Sequence, residues 1–275
     1  MVKKTLVLIV VIIAAVLIFW AVSERKDNNL PSVRQDEPLQ DDHIISQILN
    51  QAVKEEAGGN LPKAYSLYSR LVMEFPNSPQ ISSWQKKTGD LNIRLLFSPT
   101  LTPGSVLYEI KPGDSLAKIA KKFHTTVELL KKSNNLSSDV IITGKKLKAW
   151  TKPFNIIVDK SQNTLILKSE DEILKMYTVS TGASNSTPVG IYKIINKLVN
   201  PSWFKAGAVV PPESPDNILG SRWMGFDLEG YGIHGTTEPE TLGKQITAGC
   251  VRMANSQVEE LFTIVPVGTE VTIVD

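Results

Sequence analysis

The sequence predicts a multidomain chain. It opens with an N-terminal membrane helix, continues through a small all-α unit and a β-α-α-β module, and ends in a mainly β domain. Three observations predict this. An uncharged apolar run fills residues 5–22. Apolar residues then recur at helical spacing between 42 and 97. From Phe154 onward the pattern shifts to short strands bounded by polar turns. The boundaries that follow are 1–23 for the membrane or signal segment, 24–41 for a linker and 42–97 for the helical unit. A second linker at 98–106 precedes the small module at 107–151, and the β domain occupies 152–275.

Lys3 and Lys4 precede the run from Thr5 to Val22. At ~1.5 Å per residue that run makes a helix of about 27 Å, close to the hydrocarbon thickness of a bilayer. Trp20 stands at the far end, where an interfacial aromatic is favoured. The run has no polar face, which argues against a core helix. The two lysines favour a cytoplasmic N-terminus, so everything after Ser23 is expected outside. The competing reading is a signal peptide cleaved after Ala21-Val22-Ser23. The run is long for that, and a retained single-pass anchor is the preferred expectation. In either case the bulk of the chain is extracytoplasmic.

Composition excludes several classes. A net charge of +2 with no Lys/Arg stripe interleaved with aromatics gives no sign of nucleic acid. A single cysteine, Cys250, rules out an internal disulfide framework and is compatible with an oxidising compartment. His43, His124 and His234 are dispersed, with no metal-ligand spacing, so no metal is expected. No glycine-rich phosphate loop follows a strand, and no cofactor is expected. His124 follows a helix end and reads as a solvated residue.

In the helical unit one stripe comprises Ile44, Ile45, Ile48, Leu49, Ala52 and Val53. A second comprises Ala64, Leu67, Tyr68, Leu71, Val72 and Phe75. Gly58-Gly59-Asn60 breaks the first helix, Pro62 fits the first turn of the second, and a third spans about Ile81 to Leu95. The Ala, Tyr and Phe-Pro landmarks are similar to a single tetratricopeptide-like hairpin. A lone repeat buries little core, so it must pack on a neighbour or another copy. It is either a spacer or a module that docks a protein partner.

The small module begins with a strand near Tyr108 that ends in Lys111-Pro112-Gly113-Asp114-Ser115-Leu116. Asp114 or Ser115 can cap the helix that follows. A second helix spans about Val127 to Ser133, and a closing strand lies near Lys146 to Trp150. This order, with Ile119-Ala120, Phe123, Asn134-Asn135-Leu136 and Gly144-Lys145-Lys146-Leu147, resembles a lysin motif (LysM). Thr143 replaces the usual proline. The resemblance implies binding of N-acetylglucosamine-containing glycans at Gly113, Asp114, Ser115 and Leu116, with the segment from Ser138 to Thr143.

In the β domain, strands are expected at Asn155–Asp159, Thr164–Lys168, Ile173–Val179, Gly190–Ile195 and Glu270–Val274. The stretch from Asn196 to about Arg222 reads as a long functional loop. Ser256-Gln257-Val258-Glu259 reads as a capping box opening a helix through about Ile264.

His234 and Cys250 carry the chemistry. A thiolate nucleophile needs a base to take its proton, and imidazole suits that task near neutral pH. An arbitrary Cys/His pair is more often a buried hydrophobe and a loop residue. Here the neighbours reverse that weighting. His234-Gly235-Thr236, Pro239, Gly243, Thr247, Gly249-Cys250-Val251-Arg252-Met253 and Asn255 fall in one order and spacing. They resemble the catalytic motif of L,D-transpeptidases, bacterial enzymes of peptidoglycan cross-linking. Ser180-Thr181-Gly182, Thr187-Pro188-Val189-Gly190 and Leu219-Gly220-Ser221-Arg222-Trp223-Met224 extend the match over about 153–275. Ala248 stands where many members carry a second histidine.

The resemblance implies a mainly β, sandwich-like fold and peptidoglycan stem peptides and glycan strands as partners. It implies Cys250 as nucleophile, His234 as base and the Gly235 carbonyl as the group that orients the imidazole. Backbone N–H groups at Gly249 and Cys250 are candidate oxyanion donors. Thr247 is expected to bond within its loop. Arg252 and Asn255 fit two readings: contact with substrate carboxylate, or support of the loop. The expected activity is transfer through a thioester. Alternatives are an L,D-carboxypeptidase, a cross-link hydrolase and a non-catalytic wall-binding anchor.

Overall fold

The computed structural model describes residues 37–205 and 207–275. The expected membrane or signal segment and residues 24–36 of the first linker lie outside the described residues. Among the described residues no helix is long and apolar enough to cross a membrane. The described residues 37–46 are the start of a helix and belong to a first unit, and residues 47–275 form a second.

That first helix, α1, is Glu37–Ala57, so it begins inside the segment read as linker. Helix α2 is Leu61–Glu74 and α3 is Ile81–Leu96. Pro62 occupies the first turn of α2, where its missing N–H leaves no bond unmade. Ala64, Leu67, Tyr68 and Leu71 of α2 are buried, as are Trp84 and Leu91 of α3. Glu56 ties the end of α1 to α3 through Lys87 at 3.2 Å and Arg94 at 2.6 Å.

The small module pairs β1 (Ser105–Glu109) antiparallel with β2 (Lys146–Trp150), with α4 (Leu116–Lys122) and α5 (Val127–Ser133) between them. Ser115 caps α4 by accepting from the Lys118 N–H, so of the two expected candidates the serine takes the role. Asp114 instead accepts from the Tyr108 hydroxyl and the Lys111 N–H, both at 2.8 Å, which fixes the Pro-Gly turn. Ile110, Leu116, Ile119, Leu130 and Leu147 form a core of the module's own.

The third region is built on one eight-stranded sheet. Its strands are β3 (Phe154–Asp159), β4 (Thr164–Ser169), β5 (Glu172–Thr178), β7 (Gly190–Val199), β10 (Arg222–Phe226), β11 (Gly232–His234), β13 (Val251–Arg252) and β14 (Glu270–Val274). The order across the sheet is β13-β11-β10-β7-β14-β3-β4-β5. A short strand β6 (Thr181–Gly182) pairs with β12 (Gln245–Thr247), and β8 (Trp203–Lys205) pairs with β9 (Ala208–Val210). Helix α6 (Asn255–Ile264) packs on the sheet and buries Val258, Leu261, Phe262 and Ile264.

The expected sandwich is therefore a single sheet that curls on itself. Ser180 follows edge strand β5, yet it exchanges two backbone bonds of 2.8 Å with Arg252 on the opposite edge strand, β13. Two edges of a flat eight-stranded sheet are about 34 Å apart at ~4.8 Å per strand gap, so the bridge requires closure. Two further expectations are corrected. Strand β7 continues to Val199, and the loop after it carries the β8–β9 hairpin. The capping box is not used: Ala254 is the N-cap, without a side-chain cap bond, because Asn255 faces the neighbouring loop rather than its own helix.

The three regions share apolar packing. Ile93 and Leu96 of α3, Leu129 of α5 and Trp150 of β2 belong to the same core cluster as the β domain. Helix α3 lies along β5, where a Cβ on Gly89 would sit 3.2 Å from Lys175, and Asn92 Nδ2 donates to the Leu174 carbonyl at 3.2 Å. Lys175 bridges Asp90 and Glu260 at 2.8 Å each, and Glu260 accepts from the Tyr177 hydroxyl at 2.8 Å. The helical unit thereby covers an exposed sheet edge, a place where unpaired backbone invites aggregation. Lys148, buried on β2, donates to the carbonyls of Leu95 at 2.7 Å and Ser98 at 2.8 Å. Burial lowers its pKa to about 8. Thr126 caps α5 and also donates to the Thr263 carbonyl of α6.

Candidate active site

Strands β11 and β13 run parallel, with Ile233 opposite Val251 and His234 opposite Arg252. Ile233, Val251 and Met253 are fully buried, which anchors both strands in the core. Cys250 is the residue just before β13. His234 and Cys250, sixteen residues apart in sequence, therefore come to line one cavity of about 370 Å³. Leu198, Trp203, Phe204, Trp223, Thr247 and Arg252 also line it. Both ends of the long loop, Pro201 to Phe204 with Phe204 77% exposed, and Ile218 and Leu219, form one of its walls.

His234 is held on two sides. Its ring stacks on Trp223 with centroids 6.1 Å apart and planes 22° apart. Nδ1 lies 2.7 Å from the Gly235 carbonyl oxygen. A carbonyl only accepts, so Nδ1 carries the proton and Nε2 is the basic nitrogen. Burial lowers the His234 pKa to about 4; the Gly235 bond works against this, and the Arg252 charge adds to the lowering. The imidazole is neutral at pH 7.

Cys250 is partly exposed. Its Sγ lies 3.4 Å from the Gly230 carbonyl, to which a thiol donates. Burial pushes the thiol pKa up, and the Gly232 backbone opposes that shift. Both partners thus rest in their neutral forms. An ionised sulfur, the state a nucleophile needs, is not the resting state of this site.

The loop into Cys250 is shaped by glycine. Gly249 has φ +137°, and a Cβ there would lie 2.7 Å from the Tyr231 ring. Thr247 Oγ1 donates to the Cys250 carbonyl at 2.6 Å and accepts from the Gly249 N–H at 3.2 Å. Thr247 therefore bonds within its loop, as expected. The Gly249 N–H is engaged by that bond, which corrects its assignment as an oxyanion donor. The Cys250 N–H has no partner among the described residues and is the remaining backbone candidate.

Asn255 is a buttress. Its Oδ1 accepts from the N–H groups of Ser221 and Thr236, both at 3.1 Å, and its Nδ2 donates to the Thr236 carbonyl at 2.8 Å. Gly235 is packed against it so closely that a Cβ would sit 2.1 Å from that Oδ1. Arg252 is buried, and its guanidinium donates to Glu238 at 3.1 Å and Thr241 at 3.0 Å. It pins the loop between His234 and Cys250, while its Nε, buried beside the cavity, has no partner among the described residues. Sequence reasoning missed Gly230, Gly232, Glu238 and Thr241 as partners of these groups. Only the glycine spacing around Tyr231 carried a signal for the first two.

In the small module Gly113 has φ +81° and is exposed, Asp114 is half-buried and Ser115 is exposed. Leu116 is only 3% exposed and belongs to the module's core, which corrects its assignment as a glycan contact. The neighbouring loop exposes Val140 and Ile142. It adjoins the same turn through the bond from the Gly144 N–H to the Ile110 carbonyl.

Comparison with known proteins places the chain in a family. The L,D-transpeptidase catalytic domain family matches residues 153–273, and the LysM domain family matches residues 108–150. The "Putative L,D-transpeptidase YkuD" of Bacillus licheniformis is 33% identical over 61% of this chain and 98% of its own length. The "Putative L,D-transpeptidase YqjB" of Bacillus subtilis is 41% identical over 44% of this chain and 70% of its own. A solved L,D-transpeptidase from Mycobacterium smegmatis is 17% identical, with a TM-score of 0.38 over 49% of this chain and 65% of that one. The chain belongs to the L,D-transpeptidase family. It couples that family's catalytic domain to a LysM domain.

Proposed function

We propose that this protein is a cysteine-dependent L,D-transpeptidase that cross-links peptidoglycan stem peptides through a Cys250 thioester. The observation that carries the reading is the imidazole tautomer: the Gly235 carbonyl leaves Nε2 of His234 free to accept a proton in the cavity that Cys250 lines. Because both groups start neutral, proton transfer from Sγ to Nε2 accompanies attack on the carbonyl of the donor's third residue. The Cys250 N–H faces the oxyanion. Collapse expels the terminal D-alanine amine, which takes the proton back from His234. An acceptor amine then attacks the thioester, with His234 again as base, and the thiol is restored. Arg252 and Asn255 act by holding the loop that orients His234.

Lys3, Lys4 and the apolar run at 5–22 support a single-pass anchor that places the enzyme on the extracytoplasmic face of the envelope. The LysM domain then holds it on the wall. The test is incubation of purified native protein and Cys250→Ala with a tetrapeptide muropeptide. Cross-linked dimer from the native protein alone supports transfer. Free tripeptide without dimer replaces it with carboxypeptidase chemistry. No product, together with no mass adduct after exposure to a carbapenem, leaves the wall-anchor reading in its place.

A further inference from the structure

We infer that the cleft between the LysM domain and the β domain is a second glycan-binding subsite, separate from the LysM loops and from the Cys250 cavity. The cleft encloses about 740 Å³, within the size range of small-ligand sites. Ala117, Lys121 and Thr125 line one wall, and Val199, Phe262 and Val267 the other. The Thr125 hydroxyl is buried, with the residue 6% exposed, and has no hydrogen-bond partner among the described residues. Such a group costs stability unless something satisfies it, and a χ1 rotation turns it to a ligand on the cleft floor. Val199 and Val267 are each more than half exposed, an apolar wall left open to solvent.

The lining favours a neutral ligand. The Lys197 ammonium already donates to the Phe262 and Val265 carbonyls, and Glu128 offsets the charge of Lys121. An extended peptide is the alternative occupant, because the β14 pairing of β7 ends at Lys193; retention on immobilised stem peptide in place of glycan strands overturns the inference. A neutral sugar fits: its C–H face suits Val199 and Val267, and its hydroxyl and amide groups suit Thr125, Lys121 and Glu128. The small side chain of Ala117 leaves room for close approach. The Thr126 bond to the Thr263 carbonyl joins the two domains beside the cleft, so the cleft keeps its width. A glycan strand held here is presented to the catalytic domain in one orientation.

The inference adds to the proposed activity and is tested apart from it. The full chain is mixed with peptide-free glycan strands and followed by hydrogen–deuterium exchange, with retention on immobilised strands as a second readout. Protection is expected at 120–128 and 262–268, in addition to any at 138–143. Val267→Trp fills the cleft from an exposed turn and is expected to abolish protection at 120–128 while sparing 138–143. Thr125→Val is expected to weaken retention about two- to tenfold, the effect of one neutral hydrogen bond. Absence of protection at 120–128 and 262–268 in the native protein, or unchanged retention in Val267→Trp, overturns the inference. Carbapenem acylation of Cys250, measured on the same samples, reports separately on the catalytic reading.

Discussion

Asn255→Ala tests whether the catalytic histidine is positioned from outside its own strand. The side chain makes three bonds, two accepted from Ser221 and Thr236 and one donated to Thr236. Alanine leaves all three backbone groups without that partner in a partly buried place, at about 1 kcal/mol each, so a loss of about 3 kcal/mol is expected. For a domain of this size that is a fall in Tm of roughly 6–12 °C. The chemical effect follows from Gly235, whose carbonyl sets the imidazole and which packs directly on Asn255. A displacement on the order of 1 Å costs about a hundredfold in rate. Asn255→Asp keeps the accepting oxygen and loses the donor, so its losses should be smaller in both readouts. The assays are thermal unfolding and the rate of Cys250 acylation by a carbapenem, followed by intact mass. A Tm within about 2 °C of the native protein refutes the buttress. A normal acylation rate in a destabilised variant refutes the link from Asn255 to His234.

The remaining predictions concern charge, backbone and domain joints. The His234 pKa of about 4 lies below its unfolded value, so the base is present above that pH; acylation should hold down to about pH 5 and fall near pH 4. The same shift makes His234 a stabilising group above about pH 6.5, with that contribution lost as pH falls from 6.5 through 4, which acid unfolding of native protein against His234→Gln measures. Gly249→Ala should cut acylation strongly with a smaller effect on Tm, because the added methyl meets Tyr231 beside the nucleophile; unchanged acylation contradicts the need for glycine there. Lys148→Ala removes the bonds from β2 to the end of α3, and calorimetry should then resolve a separate LysM transition. A single unshifted transition means the joint is held by its apolar contacts alone.

Much of the fold was legible because local periodicity and punctuation decide it. Helices α4, α5 and the last strand, Glu270–Val274, fall where spacing and turn residues put them. What escaped was decided by long-range partners. Ser256 and Glu259 carry the pattern of a capping box, but Asn255 is drawn to the loop at Thr236, and the helix starts two residues earlier under Ala254. Leu116 sits next to the exposed turn in sequence, yet the helical period points it into the core. Thr247 is expected to bond within its loop, but its spacing does not say that the Gly249 N–H is the partner, and that bond occupies the expected oxyanion donor.

The seam of the sheet explains why stability and chemistry meet in one loop. Curling brings β13 to the segment after β5, and Arg252 closes the seam with its backbone while its guanidinium pins Glu238 and Thr241. His234 lies beside Arg252 in the ladder and Cys250 two residues before it. A single residue thus couples the closure of the sheet, the loop between base and nucleophile, and a charge that adds to the lowering of the His234 pKa that burial causes. Arg252→Lys separates these roles. It retains the positive charge and loses the contact that one guanidinium nitrogen, Nη1, makes with both Glu238 and Thr241, so the acid limb of the pH profile should stay in place while thermal stability falls. An acid limb displaced upward in that variant shows that the guanidinium contact, and not the charge, governs the protonation of His234.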